Sequence, residues 1–237
     1  MRTIDVSSFL RRQPICKILP GLDTNPKHVA NEVYVHISYL QAAILPDVDL
    51  TANRWLFRHL TAQLDRPVLS TIQKDIQSFL RTPISLNVNL KNIMSEDFTQ
   101  LVRLLSPAQR EQIIIEIHCV DLLADAGTFT FVKFYLGHTG FKMALDGTDM
   151  FSFPEFSRHD MGFHYVKLQW NDALEIGLPR DEFQNLQQAV TRLGSEKVIL
   201  CHCGTANAKD VGHKLGVHNF QGRYIGEFFN PSTRRQN

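Results

Sequence analysis

Residues 197–203 read KVILCHC, a short apolar run that ends in two cysteines and a histidine. Apolar runs of this length, with polar or turn residues on either side, are typical of buried strands. Similar runs recur along the chain, and they are ICKIL (15–19), EVYVHIS (32–38), ISLNVNL (84–90), QIIIEIHC (112–119), FKMALD (141–146), FHYVKL (163–168) and the weaker HNFQGRYI (218–225). The pattern predicts eight strands.

Segments with helical periodicity separate most of these runs. From 56 to 80, leucine and isoleucine recur at three- and four-residue spacing, and Pro67 must start, kink or break a helix there. Other predicted helices begin or end at Ser95, Ser106, Gly194 and Gly216. Eight strands that alternate with helices in 237 residues are typical of a (β/α)8 barrel. A doubly wound open sheet is the alternative, but no GxGxxG motif follows the first strand.

The composition limits the kinds of partner. A formal net charge of +1 gives no electrostatic reason to expect nucleic acid or an anionic membrane. The N-terminal residues lack the apolar core of a signal peptide, and no run reaches the ~18 apolar residues of a membrane span. We therefore expect a cytoplasmic protein with one domain over residues 1–237, in which the barrel covers 10–229 and a polar tail covers 230–237.

Polar side chains lie at the ends of successive predicted strands. Asn89 belongs to the third run and Glu116 to the fourth, while Asp146 and Lys167 lie at or near the ends of the fifth and sixth. The carboxyl ends of barrel strands form the active-site rim, so these side chains are predicted to face a common mouth. Alternation along a strand also places Asn87 beside Asn89. The alternative is that each is an ordinary strand-end residue.

The motifs around these residues resemble the EAL domain, the cyclic di-GMP phosphodiesterase fold. The similar segments are QPI (13–15), SLNVNL (85–90), IIEIHC (114–119) for E-L/I-T-E, MALDGTDMF (143–151) for A-L-D-D-F-G-T-G, VKLQW (166–170) for L-K-I-D, VILCHCGT (198–205) for V-I-A-E-G-V-E-T and LGVHNFQGRYIG (215–226) for L-G-x-x-x-x-Q-G-Y. The resemblance implies a TIM-like (β/α)8 barrel with one antiparallel strand near its start.

The resemblance also implies two divalent cations, Mg²⁺ or Mn²⁺, that activate a water against a phosphodiester of cyclic di-GMP. It places vestigial metal-binding roles on Asn89, Glu116 and Asp146, and a vestigial catalytic role on Glu116 and Lys167. The carboxylates at four other motif positions are lost, and these positions hold Gly147, Gln169, Cys201 and Gly204. Two metals close together need several carboxylates, so we expect no metal cofactor and no hydrolysis unless residual activity persists with Mg²⁺ or Mn²⁺.

The E-A-L signature itself is absent. Its nearest match is EVYVH at 32–36. If Glu32 stands for the signature glutamate, His36 replaces the arginine that holds the nucleotide phosphate in the family. A register shifted by a few residues would lose the glutamate as well.

Three functions then compete. The favoured one is a catalytically inactive EAL-like domain that acts in bacterial signalling or regulation through protein contacts, with an unidentified partner, a homodimer as an option, and further domains in a longer sensory protein as another. The second is a receptor that binds cyclic di-GMP, if only weakly, without hydrolysis, in a pocket formed by Gln13, Asn89, Glu116, Asp146, Lys167 and Gln221.

The third function is a residual phosphodiesterase or a repurposed metal site. Cys201 and Cys203 should point the same way along their strand, with His118 nearby. With Glu116 or Asp146 they could form a site of the kind that a borderline metal such as zinc accepts. However, C-x-C on one strand lacks the flexible C-x₂-C knuckle, and buried cysteines more often act as small core hydrophobes. His202 should point to the opposite face, which disfavours a cysteine nucleophile. Four cysteines are too few for a disulfide scaffold, so we expect reduced thiols.

Overall fold

The eight predicted strands are all present in the computed structural model, which describes residues 5–21, 26–44 and 54–229. The strands are β1 (Leu10–Lys17), β2 (Lys27–Val35), β3 (Ile84–Asn87), β4 (Ile113–His118), β5 (Lys142–Thr148), β6 (Tyr165–Gln169), β7 (Val198–Cys201) and β8 (Asn219–Gln221). They follow one another in sequence order around a closed barrel. The predicted TIM-like barrel is therefore confirmed.

The first strand runs against the barrel, as the resemblance implied. β1 pairs antiparallel with β8, in the register Ile15 to Gln221 and Lys17 to Asn219. Parallel pairing holds for β3 with β4, for β5 with β6, for β6 with β7 and for β7 with β8. The β5–β6 ladder shifts register between Leu145 and Thr148. Such an irregularity bends a strand and re-aims its side chains.

Helices connect most of the strands. In chain order they are α1 (Ile37–Ile44), α2 (Arg54–Lys74), α3 (Ile76–Phe79), α4 (Leu90–Ile93), α5 (Glu96–Leu104), α6 (Pro107–Arg110), α7 (Cys119–Ala124), α8 (Ala126–Thr139), α9 (Ser152–Phe156), α10 (Asp172–Ile176), α11 (Arg180–Leu193), α12 (Ala206–Leu215) and α13 (Arg223–Phe229). A short 3-10 helix, Ser7–Phe9, precedes β1. No helix in the described ranges is long and apolar enough to cross a membrane.

The predicted helix ends are where the sequence placed them. The Ser95 hydroxyl accepts the Phe98 N–H at 3.3 Å, and Ser106 forms a full capping box with Gln109. α11 ends at Gly194, and α12 ends at Gly216 with a left-handed φ of 87°. These ends form because the caps satisfy backbone groups that no helical partner reaches.

Pro67 neither starts nor ends a helix, because α2 continues from Arg54 to Lys74 with the proline inside it. Proline removes one helical hydrogen bond, which costs several kcal/mol in an isolated helix. Here the turns after it carry Leu69 and Ile72, which are 1% and 0% exposed. Burial of these side chains offsets the lost bond and keeps the helix intact.

The chain divides into two compact units. The first contains residues 1–12, 33–117 and 121–142, and the second contains 13–32, 118–120 and 143–237. In the first, the rings of Phe98 and Phe141 lie 5.5 Å apart in an apolar core. In the second, Phe153 and Phe220 are fully buried. One domain over 1–237 stays a prediction, and the polar tail, 230–237, lies outside the described residues.

Candidate functional site

Four polar side chains of the second unit form one hydrogen-bonded group, here called the lysine cluster: Gln13 on β1, Glu32 on β2, Lys167 on β6 and Gln221 on β8. Lys167 Nζ donates to Glu32 Oε2 at 2.9 Å. Gln221 Nε2 donates to the same carboxylate oxygen and, at 3.0 Å, to Gln13 Oε1. Three of the six predicted pocket residues are thus brought together, around a glutamate.

The ion pair at the centre of the lysine cluster is buried. The side chains of Lys167 and Glu32 are 3% and 15% exposed. A buried charge is tolerated only when it is paired and hydrogen-bonded, and here both conditions hold for the carboxylate. The ammonium of Lys167 is therefore neutralised inside the protein. The contact of Glu32 with Lys167 and Gln221, two positions of the family motifs, favours the register that places Glu32 at the signature glutamate.

Gly147, at one of the lost carboxylate positions, lies against a histidine ring. Its φ is 79°, a conformation that side-chain-bearing residues rarely adopt. A Cβ added there would lie 2.4 Å from His118 Nε2 and 2.6 Å from Cε1. The ring is held in place because the Val120 N–H donates to His118 Nδ1 at 3.2 Å. Both the left-handed backbone and the neighbouring ring therefore disfavour a side chain at 147.

Cys119 is a motif position that the sequence reasoning passed over, whereas its neighbour His118 was considered only as a candidate metal ligand beside the cysteines. In the E-L/I-T-E motif His118 and Cys119 take the places of the threonine and the second glutamate, while Glu116 takes the first. Cys119 Sγ donates to the Gly147 carbonyl at 3.1 Å. Burial, and then the charge of Asp146, raise the pKa of the Cys119 thiol. Cys119 thus places a neutral thiol, hydrogen-bonded to the backbone, where the family motif has its second glutamate.

Cys201, the last residue of β7, and Cys203, two residues further on, are both buried. Cys201 Sγ donates to the Leu168 carbonyl at 3.4 Å, and Cys203 Sγ donates to the Leu200 carbonyl at 3.2 Å. Burial raises the pKa of Cys203 to about 12 and holds that of Cys201 well above its ordinary value. A thiolate is the reactive and metal-binding form, so these thiols are poorly suited to either role.

The expected alternation of Cys201, His202 and Cys203 does not extend through the segment. β7 ends at Cys201, and His202 has a left-handed φ of 63° that turns the backbone. Cys203 is then fixed by its own backbone, whose N–H donates to the Gln221 carbonyl at 2.9 Å. His202 occupies the glycine position of the V-I-A-E-G-V-E-T motif, which explains why the chain takes this conformation there.

These positions do not fit the pair of Mg²⁺ or Mn²⁺ ions that the family resemblance implies. Hard cations need oxygen ligands, and the four lost positions offer two glycines, an amide and a buried thiol. Within the described ranges, no group of three or more histidine, cysteine, aspartate or glutamate side chains is arranged to hold a metal ion.

A second polar group lies in the first unit, here called the asparagine cluster: Asp65, Asn89, Asn92 and Asp121. Asp65 Oδ2 accepts the Asn89 N–H at 2.7 Å and Asn92 Nδ2 at 2.8 Å. Asn89 Nδ2 donates to Asp121 Oδ2 at 3.0 Å. Burial, only partly offset by these hydrogen bonds, raises the pKa of Asp65 to about 6. Asp65 lies inside α2, where no strand-end pattern could have marked it.

Asn89 does not continue the third strand. β3 ends at Asn87, and Asn89 is the N-cap of α4, with its Oδ1 accepting the Lys91 N–H at 3.1 Å. Asn87 is exposed whereas Asn89 is half-buried. The two asparagines therefore do not share a strand face, because the backbone enters a helix immediately after the strand. In this structure Asn89 caps α4, and the metal-binding role expected for it stays a prediction.

The remaining predicted residues lie in different units. Glu116, 1% exposed, lies on β4 in the first unit, where the Val88 N–H donates to its carbonyl at 3.2 Å. Asp146 lies on β5 in the second unit, next to Gly147. A mouth common to all six predicted residues stays a prediction.

A cavity of about 390 Å³ borders the asparagine cluster. Its lining includes Gln63, Asn89, Lys91, Asp121 and Asp125. This volume lies at the lower end of the range for small-molecule sites. Two carboxylates against one lysine make it a poor environment for an anionic dinucleotide.

The comparisons with known proteins agree with this architecture. The family model of the EAL domain matches residues 24–227. A search of curated proteins finds no matching relative. Among solved structures, the PaMucR phosphodiesterase in complex with c-di-GMP is similar, with a TM-score of 0.61 and 16% identity over 91% of this chain and 90% of that chain.

Two further structures are similar. The S helix-GGDEF-EAL part of LapD from Vibrio cholerae, bound to c-di-GMP, has a TM-score of 0.62 and 15% identity over 91% of this chain. This chain spans 52% of the LapD chain. The FimX EAL domain from Xanthomonas citri, in complex with c-diGMP, has a TM-score of 0.58 and 10% identity over 93% of this chain and 88% of that chain. The fold is shared with all three, and the chain belongs to the EAL domain family.

Proposed function

We propose that this chain is a catalytically inactive EAL domain that acts in bacterial signalling or regulation through contacts with a protein partner. The observation that carries the proposal is Gly147, whose left-handed φ and whose closeness to the His118 ring disfavour a carboxylate at this motif position. The substitution has become part of the packing. We therefore expect that the single substitution Gly147→Asp would not restore a metal ligand at this position.

The lysine cluster supports the same proposal. In a working hydrolase, a lysine in this position must be available to substrate or water. Lys167 instead donates to Glu32 at 2.9 Å and is 3% exposed in its side chain. Separation of this pair would leave an uncompensated buried charge. The cluster therefore acts as a structural link between four strands.

Hydrolysis is tested with the purified full chain, cyclic di-GMP and either Mg²⁺ or Mn²⁺. We expect no linear pGpG by chromatography, because the carboxylates that a pair of hard cations requires are missing. Linearisation that Glu116→Ala abolishes would overturn the proposal. A sample to which an active EAL phosphodiesterase is added confirms that the assay conditions permit the reaction.

The regulatory part is tested by complementation of a strain that lacks this chain. Because the proposed role needs no chemistry, Glu116→Ala and the wild type should restore the strain's phenotype equally, once immunoblots show equal amounts of protein. Loss of complementation by a stable Glu116→Ala protein would contradict the proposal.

The second candidate is a cyclic di-GMP receptor. One observation favours it, since Gln13, Lys167 and Gln221 lie together and could contact one ligand. Against it, the charge of Lys167 is already matched by Glu32. Calorimetric titration separates the candidates: a receptor must show saturable binding that Lys167→Ala weakens and that Lys214→Ala, on an exposed part of α12, leaves unchanged.

A further inference from the structure

Two histidines meet in the second unit, at the seam where β1 pairs antiparallel with β8 and closes the barrel. His213 lies in the last turn of α12, and His218 directly precedes β8. Their rings pack edge to face, with centroids 6.5 Å apart and an interplanar angle of 63°. Both side chains are half-buried, and neither has a part in the proposed function. We call this pair the seam histidines.

Both seam histidines are bonded to Ile18, the residue that follows β1 and is 1% exposed. His213 Nε2 lies 3.0 Å from the Ile18 carbonyl oxygen. A carbonyl can only accept a hydrogen bond, so this nitrogen carries a proton and donates it. The Ile18 N–H in turn donates to the His218 carbonyl at 2.9 Å. The seam histidines therefore bind both backbone polar groups of one buried residue.

The ring of His218 is poorly placed to gain a proton. Its Nδ1 is buried and has no hydrogen-bond partner among the residues that the structure describes. A protonated imidazole donates from both nitrogens, so the charged ring would bury an N–H without an acceptor. Burial accordingly lowers the pKa of His218; Glu196 acts in the opposite direction, and His213 and Lys17 lower the pKa further.

The carboxylate that faces His218 is already engaged by a lysine. Both carboxylate oxygens of Glu196 lie 2.7 Å from Lys17 Nζ. The other charged or titratable groups that face His218 or Glu196 are His213 on α12, Lys27 on β2 and Tyr165 on β6. A charge on His218 would therefore join two lysines around one carboxylate, which makes the protonated ring unfavourable in the closed seam.

We propose that the seam histidines make the closure between β1 and β8 sensitive to pH, so that the seam is closed while His218 is neutral and opens when acid protonates it. The closed seam binds this proton less tightly than a solvated histidine, whose pKa is about 6.5. The closed state is therefore fully favoured above that pH and becomes less favoured as the pH falls through it.

The same two strands carry part of the lysine cluster. Ile15 of β1 pairs with Gln221 of β8, and Gln221 Nε2 donates to Gln13 Oε1 at 3.0 Å. An opening that begins at Ile18 and continues along β1 reaches this contact within a few residues. Acid then acts on residues of the family motifs from the opposite end of the seam. The inference does not depend on whether the chain hydrolyses cyclic di-GMP.

Amide hydrogen exchange of the full chain, read by NMR from about pH 7.5 to about pH 5.5, tests the proposal. Protection factors remove the intrinsic pH dependence of exchange. The protection of the Ile18 amide should fall by up to about tenfold over this range, which is the limit that one proton sets. The Trp170 amide, which donates to the Cys201 carbonyl at 2.9 Å in the same unit, should not lose protection. Constant protection at Ile18, or an equal loss at Trp170, would overturn the proposal.

Substitutions assign the effect to one ring. His218→Phe keeps a ring that cannot be protonated, and His218→Gln keeps a polar side chain without a titration. Each should abolish the acid-dependent loss at Ile18, with circular dichroism confirming that both are folded. His213→Gln should retain the loss, because its amide can still donate to Ile18 and His218 still titrates. His159→Phe, at an exposed histidine of the same unit, is the control and should match the wild type. A full loss in both His218 variants would contradict the proposal.

Discussion

The lysine cluster and the asparagine cluster each contain a buried carboxylate, but the donors that stabilise it differ. In the lysine cluster, the Glu32 carboxylate accepts hydrogen bonds from the Lys167 ammonium and from the Gln221 amide. In the asparagine cluster, the donors to Asp65 among the described residues are neutral, and they are the Asn89 N–H and the Asn92 amide. A carboxylate with a cation stays ionised as part of a neutral pair, whereas one with amides alone is poised to take up a proton.

The largest effect should follow from removal of the cation. Lys167→Met leaves Glu32 largely buried without its partner, and we expect a loss of about 3–5 kcal/mol in the free energy of unfolding. Urea denaturation measures it. Glu32→Gln in the same chain should recover much of the loss, because no charge then remains. Lys214→Met, at an exposed position, should change stability by about 0.5 kcal/mol or less. A similar small loss for Lys167→Met would show that the pair is not structurally important.

The next effect concerns Gly147. Gly147→Ala places a Cβ 2.4 Å from His118 Nε2 at a φ of 79°, and we expect a loss of about 2–4 kcal/mol by thermal denaturation. Gly177→Ala separates strain from contact, since Gly177 has a φ of 112° and no atom within 4 Å of the added Cβ. It should lose only about 1 kcal/mol. Equal losses of stability in the two variants would show that the contact with His118 does not contribute to the loss.

Asp65 gives the pH-dependent prediction. Its pKa is raised to about 6 in the folded protein from an ordinary value of 3.8, so the folded state holds the proton more tightly than the unfolded one. Stability from this group is greatest below about pH 4 and declines as the pH rises to about 6, by roughly 2–3 kcal/mol in all.

Asp65→Asn should flatten that decline, because the amide oxygen can still accept one hydrogen bond but carries no charge. Denaturation midpoints measured at closely spaced pH values give the slope. Asp181→Asn, on the exposed side of α11, serves as the control and should retain the slope of the wild type. An unchanged slope in Asp65→Asn would assign the pH dependence to another group.

The smallest effect should come from His202. A residue with a side chain at a left-handed φ of 63° is strained, and glycine removes that strain. His202→Gly should therefore raise the free energy of unfolding by up to about 1 kcal/mol in urea denaturation. His159→Gly, another exposed histidine but without a positive φ, should bring no gain. A loss of stability in His202→Gly would show that the imidazole has a structural role of its own.

Much of the fold could be predicted because strands and helix ends depend on residues that are close together in the sequence. The apolar runs located all eight strands, and the caps at Ser95, Ser106 and Gly216 were correct, since alternation and capping depend on neighbouring residues. The site was less accessible. Asp65 lies inside a helix with no strand-end pattern, and the pairing of Lys167 with Glu32 joins residues 135 positions apart in the chain.

By itself, the sequence determined the alternation of strands and helices that predicts a barrel, because residue types at fixed spacing carry that information. The resemblance of its motifs to the EAL domain implied the antiparallel first strand and the loss of four carboxylates. Only the tertiary structure decided how the residues around these positions pack and how the backbone runs there. It set the His118 ring against Gly147, turned the chain at His202, and kept α2 continuous through Pro67. Such outcomes depend on which distant groups share a buried volume, and spacing along a chain does not specify that.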